Sequence, residues 1–131
     1  MPGAVIEVRR PYSSDEEVAI IDAVHGALVA AFKIPDGDKH VRLLSLEPHR
    51  FGCPPHLAQP DRATMVSIDC FAGRSVDAKR SLYAEIVGRL EPLGIPRDHV
   101  TITVREITRD NWGIRGGQAA CDVDLGFEVN V

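Results

Sequence analysis

The sequence predicts an α/β (α+β) fold. Two βαβ units in tandem share one four-stranded sheet, with both helices on one face and short strands at the C-terminus. Three observations predict it. Strand and helix patterns alternate strand-helix-strand, then again strand-helix-strand. The halves echo each other: each helix opens at a serine, and each is followed about twenty residues later by Ile-Pro, at Ile34-Pro35 and Ile95-Pro96. A helical crossover normally joins parallel strands with one handedness, which places both helices on the same side.

The first strand is Ala4-Val5-Ile6-Glu7-Val8, stopped by Pro11. Ser14 with Glu17 reads as a capping box, and Asp15, Glu16 and Glu17 suit the positive end of a helix. That helix runs to about Phe32. Val18, Ile21, Leu28 and Phe32 recur at helical spacing, with Ile20, Val24 and Ala31 widening the stripe. His25 lies at the stripe's edge and reads as a packed or hydrogen-bonded residue. Pro35 and Gly37 turn the chain into a second strand, roughly Val41 to Leu46. A long loop from Glu47 to Arg62 follows; its His49, Arg50, Cys53 and His56 match no metal-ligand spacing.

The third strand is Thr64 to Phe71, and Ser75 caps a second helix whose buried face carries Leu82, Ile86, Leu90 and Leu93. That helix ends at Pro92-Leu93-Gly94, and a fourth strand runs from His99 to Ile107. A glycine-rich turn, Asn111 to Gly117, precedes a tail from about Ala119 to Val131 that reads as one or two short strands. The whole is expected to be a single domain, 1–131, with repeat halves at about 1–47 and 63–107 and a C-terminal hairpin and tail at 112–131. The strands look apolar on both sides, so the sheet face away from the helices is expected to be covered by other subunits.

Composition narrows the function. The chain has 131 residues, 44% hydrophobic and 26% charged, which suits one globular core rather than disorder. A net charge of −4 without a basic cluster argues against nucleic acid or an anionic membrane as partner. No signal peptide or membrane-length apolar run is visible. Cys53, Cys70 and Cys121 form no paired motif, so a reducing cytoplasm is expected.

Three residues carry the candidate chemistry. A small second residue favours loss of the initiator Met, which would leave Pro2 as the first residue. Its nitrogen would then be a secondary amine able to take or give a proton. Arg74, just before a helix start, can hold a carboxylate through two parallel hydrogen bonds. Asp38, in a turn before a strand, would favour a charged amine if it lay beside one. Trp112, the only tryptophan, can close a pocket wall or anchor its turn to the core.

In order along the chain, these residues resemble the tautomerase superfamily, and within it the branch containing malonate semialdehyde decarboxylase. The likeness rests on Met1-Pro2, on Asp22 to Leu28, on Pro35 to Asp38, on Gly73-Arg74-Ser75, on Gly94-Ile95-Pro96 and on Asp110-Asn111-Trp112. The resemblance implies a homotrimer in which Pro2 is the catalytic amine, Asp38 the nearby carboxylate, Arg74 a substrate-binding arginine and Trp112 part of the pocket wall. The decarboxylase has a second arginine where this chain has Ala72, and an aromatic where it has Ile114, counted here with the pocket residues. Two mechanisms follow, neither needing a metal or organic cofactor. As a base, Pro2 would tautomerise a small 2-oxo acid. As an acid beside Asp38, it would drive decarboxylation or hydration of a small 3-oxo acid. A trimeric protein of this fold without the chemistry is the third reading.

Overall fold

Period-two alternation gives four strands, and the pairing makes one mixed sheet of them. The computed structural model describes residues 2–131; the Met1 part of the N-terminal reading lies outside the described residues. The strands are β1 (Gly3–Val8), β2 (Val41–Ser45), β3 (Thr64–Phe71) and β4 (Val100–Ile107), in the order β2-β1-β3-β4. Helix α1 (Ser14–Phe32) joins the parallel pair β1 and β2, and α2 (Val76–Leu90) joins the parallel pair β3 and β4. The central strands β1 and β3 are antiparallel, with Gly3 opposite Asp69 and Val8 opposite Thr64. This is the expected pair of βαβ units in one sheet.

The core lies between the sheet and the two helices. Ala4, Ile6 and Val8 of β1 and Val66, Ile68 and Cys70 of β3 meet Ile20, Val24, Leu28, Leu82, Ile86 and Leu90 of the helices. Each of these side chains removes apolar area worth roughly 1.5–3 kcal/mol for a full Val, Leu or Ile. The opposite sheet face is less apolar than the sequence suggests. Alternation places Val5, Leu44 and Met65 there beside Glu7, Arg42, Ser67, Thr101 and Thr103. Arg105 Nε also donates to Asp69 Oδ1 across β3 and β4 at 2.6 Å.

Several boundaries differ from the sequence reading. The capping box of α1 is Ser13 with Glu16, one residue earlier than Ser14 with Glu17: the Glu16 amide donates to Ser13 Oγ, and the Ser13 amide to Glu16 Oε1. The Ser13 bonds hold the Glu16 carboxyl below its ordinary pKa. Val18 is 56% exposed, because the buried stripe is centred on Ile20, Val24 and Ala27 instead. His25 is buried, and its Nε2 meets the Asp36 carbonyl at 2.6 Å. His99 belongs to a 3-10 turn (Arg97–His99) before β4, since its ring is engaged at both nitrogens, by Gln59 N–H and by Asp98.

The tail also departs from the expected strands. Only β5 (Gly113–Ile114) and β6 (Gln118–Ala119) pair, as a short hairpin. Beyond a 3-10 turn at Ala120–Asp122 the tail is irregular, and it packs Leu125 and Val129 with Phe71, Ile114 and Ala120 in a second apolar cluster. Its end is tied to the start of α2: the Ser75 amide donates to the Val131 carbonyl at 2.8 Å. Gly73 makes this approach possible. Its φ is +132°, and a Cβ there would come within 2.5 Å of Asn130 Oδ1. No helix among the described residues is long and apolar enough to cross a membrane.

Truncating Ile6, which is fully buried, is predicted to cost about 2–5 kcal/mol. Val18→Ala is predicted to stay within about 0.5 kcal/mol. Urea denaturation of both variants checks the corrected stripe and the placement of the core together.

Candidate functional site

The sheet's parallel pairs bring the starts of β1 and β2 to the same end as the finishes of β3 and β4. Pro2 enters β1 there and is buried. β1 is held on both sides, and the Ala4 amide donates to the carbonyl of His40, the residue immediately before β2, at 2.9 Å. A cavity of about 520 Å³ opens at this end. Pro2, Gly3 and Val5 line it from β1, His40 and Arg42 from the β2 side, Asp69 and Ile107 from β3 and β4, and Asn111 to Ile114 from the turn that follows.

Three of the residues singled out in the sequence, Pro2, Trp112 and Ile114, therefore share one cavity. Trp112 does both things the sequence allowed. It lines the cavity, and it meets the Phe71 ring edge-on at 4.9 Å, so its turn is anchored to the second apolar cluster.

Asp38 stands beside this cavity rather than in its wall. Its side chain is largely buried, with His40 Nε2 3.2 Å from Oδ1, and His40 does line the cavity. The turn Pro35–Asp38 closes on itself through the Asp38 amide and the Pro35 carbonyl.

Arg74 is also outside the wall. It is buried, its Nη1 donates to the Phe71 carbonyl at 3.2 Å, and its guanidinium carbon lies 4.9 Å from the Phe32 ring centroid. Nε and Nη2 are buried with no hydrogen-bond partner among the described residues. Burial pushes its pKa down; Cys70 and Asp38 oppose that and Arg109 adds to it. An arginine stays protonated regardless, so a charged group with two idle donors sits one residue behind the aromatic wall. The start of α2 offers it less help than the sequence implies, because the amides of Ser75 and Ala78 are already engaged.

Sequence reasoning missed His40 and Arg42. The signal was available in the repeat. If Ile34-Pro35 leads into a strand parallel to the first, the residues opening that strand must lie beside Pro2. Val5 is paired with Arg42 in the observed register.

The repeat also builds a counterpart at the other end of the sheet. There a cavity of about 410 Å³ is lined by Ala63, Thr64, Met65, His99 and Thr101, with Phe51-Gly52-Cys53 placed as Trp112-Gly113-Ile114 is in the first. This accounts for the long loop: Phe51 and Leu57 pack with Ala63 in a small cluster of their own. At this end β3 begins in mid-chain, so its first nitrogen is an amide and cannot act as a base. Among the described residues no group of three or more His, Cys, Asp or Glu is placed to hold a metal ion.

A family model described as a tautomerase enzyme matches residues 38–115, more than half of the chain, and the chain belongs to that family. The fold agrees. The structure of FG41 malonate semialdehyde decarboxylase inhibited by 3-bromopropiolate is 29% identical, with a TM-score of 0.75 over 89% of this chain and 92% of that one. A malonate semialdehyde decarboxylase solved as wild type, mutant and inactivated forms has a TM-score of 0.82 at 21% identity, covering 93% and 99%. Native fused 4-OT has a TM-score of 0.81 at 22% identity, covering 92% and 98%. At these last two identities the likeness speaks for the fold.

The cysteines give a check on this end of the sheet. Cys70 is buried and burial pushes its thiol pKa up, so it stays protonated at neutral pH. A colorimetric thiol assay on native protein is predicted to find Cys53 and Cys121 reacting first, with Cys70 reacting only on denaturation.

Proposed function

We propose that the chain is a tautomerase that uses Pro2 as a general base on a small 2-oxo acid. The observation that carries this reading is the burial of Pro2 in the wall of a cavity that also presents His40, Arg42 and Trp112. With Met1 removed, the Pro2 nitrogen is an amine in a site where burial disfavours its charged form. It takes a proton from the carbon next to the carbonyl. The C–H electron pair moves towards the carbonyl oxygen as the enolate forms, and the proton is returned to that oxygen or to a conjugated carbon. Arg42 and Arg74 supply positive charge for the carboxylate and the enolate. Asp38, drawn on by His40 and by Arg74, is a counter-ion at the edge of the site in this reading.

The runner-up is decarboxylation or hydration of a small 3-oxo acid, with Pro2 protonated beside Asp38. The 29% identity to a malonate semialdehyde decarboxylase favours it. Its weakness is Ala72, which stands where that branch carries an arginine. Retention of the fold without activity is the third reading. A homotrimer is proposed on the precedent of the fused 4-OT trimers, to which the fold is similar. Its subunits would cover the free sheet face, and the protein would act in the cytoplasm.

Mass spectrometry of the purified protein is predicted to show Met1 absent. Pro2→Ala is predicted to lower tautomerase kcat/KM by roughly 10²–10⁴-fold, the usual contribution of a positioned acid–base group. Unchanged activity in that variant would reject both enzyme readings. Arg74→Ala is predicted to weaken substrate binding by about 1.5–3 kcal/mol, read mainly in KM.

A further inference from the structure

We propose that His40 is a second catalytic residue of the cavity, the acid that protonates the carbonyl oxygen while Pro2 removes the proton from carbon. The inference rests on the reading of the site as a tautomerase of a small 2-oxo acid, and deepens it by naming the group that meets the enolate.

Such a reaction needs two groups. Removing a proton from the carbon beside a carbonyl leaves an enolate, whose oxygen must be stabilised or protonated. Pro2 is committed to the carbon. Among the other side chains of the cavity lining, only His40, Arg42 and Asp69 ionise. An arginine brings charge but does not give up its proton, and an ionised carboxylate only accepts. Asp69 is already the partner of Arg105, whose Nε donates to it at 2.6 Å. An imidazole is the side chain that exchanges a proton near neutral pH. That leaves His40.

Its position is fixed twice. The His40 carbonyl accepts the Ala4 amide at 2.9 Å, which sets the residue beside the start of β1, where Pro2 lies. Its Nε2 lies 3.2 Å from Asp38 Oδ1, and the Asp38 side chain is largely buried whereas that of His40 is half exposed. The buried carboxylate thus holds one side of the ring. Among the described residues Nδ1 has no hydrogen-bond partner. The other charged groups around the ring are Arg42 and Asp69 in the lining, and Arg74, which acts on Asp38. Lys39, next in the chain, is engaged by Asp22 of α1.

In the step, the substrate C–H bond breaks and a Pro2 N–H bond forms. At the same time a His40 N–H bond breaks and the enol O–H bond forms. The amine ends protonated and the imidazole neutral, and proton exchange with water resets both once the enol leaves.

The experiment follows enolisation of phenylpyruvate, a 2-oxo acid whose enol is captured by borate and read by its ultraviolet absorbance. Wild type, His40→Gln, His40→Ala and Pro2→Ala proteins are compared, each checked for a native melting transition. Wild-type kcat/KM should rise with pH as Pro2 loses its proton and fall as His40 loses its own. His40→Gln should lower kcat roughly 10²-fold or more, with little change in KM, and should remove the descending limb. Added imidazole should restore part of the turnover of His40→Ala. A His40→Gln protein that keeps the descending limb, or a His40→Ala protein that imidazole does not rescue, overturns the proposal even where Pro2→Ala abolishes turnover. Full turnover in Pro2→Ala instead overturns the proposed function, and this inference with it.

Discussion

The interior position of β1 is the constraint on which the candidate site depends. A chain terminus ordinarily frays. Here the first strand is hydrogen-bonded to β2 on one side and to β3 on the other, and Ala4, Ile6 and Val8 anchor it in the core. The residue before Gly3 therefore has little freedom. A nitrogen so placed becomes useful only if it ends the chain. The counterpart cavity at the far end of the sheet makes the same point by contrast. It has the same aromatic-glycine wall, but Ala63 and Thr64 offer only amides.

Charge around the site is arranged in layers. His40 and Arg42 face the cavity directly. Asp38 sits behind His40, and Arg74 sits behind the aromatic pair of Phe71 and Trp112, buried and incompletely paired. Charge at the site is mixed, with Arg42 and Asp69 both in the lining. The C-terminal tail contributes to this arrangement indirectly. By tying Val131 to the Ser75 amide and packing Val129 near Gly73, it fixes the turn from which Arg74 projects.

Much of the fold was legible because the signals were local and repeated. The serine caps, the Ile-Pro echo and the period-two strands each reflect short-range physics, and the repeat allowed one half to confirm the other. The one-residue shift of the first cap arose because Ser13 and Ser14 are adjacent, and each has an acidic residue three positions on. Val18 was misplaced because several apolar stripes can be drawn on α1, and only packing against α2 and the sheet selects between them. The tail was misread because its apolar residues serve a local cluster around Phe71 rather than a ladder. Within the site, Pro2, Trp112 and Ile114 were legible as individual residues. His40 and Arg42 were not, because their significance comes from strand register.

The central claim is that Pro2 is a neutral amine at the pH at which the protein works. Titration of its nitrogen by NMR, on protein labelled at proline, tests this most directly. The account predicts a free proline amine that loses its proton by about pH 7, as a base poised for neutral conditions must. An amine that stays protonated to about pH 9 would contradict it, and would make Asp38 its partner and Pro2 an acid.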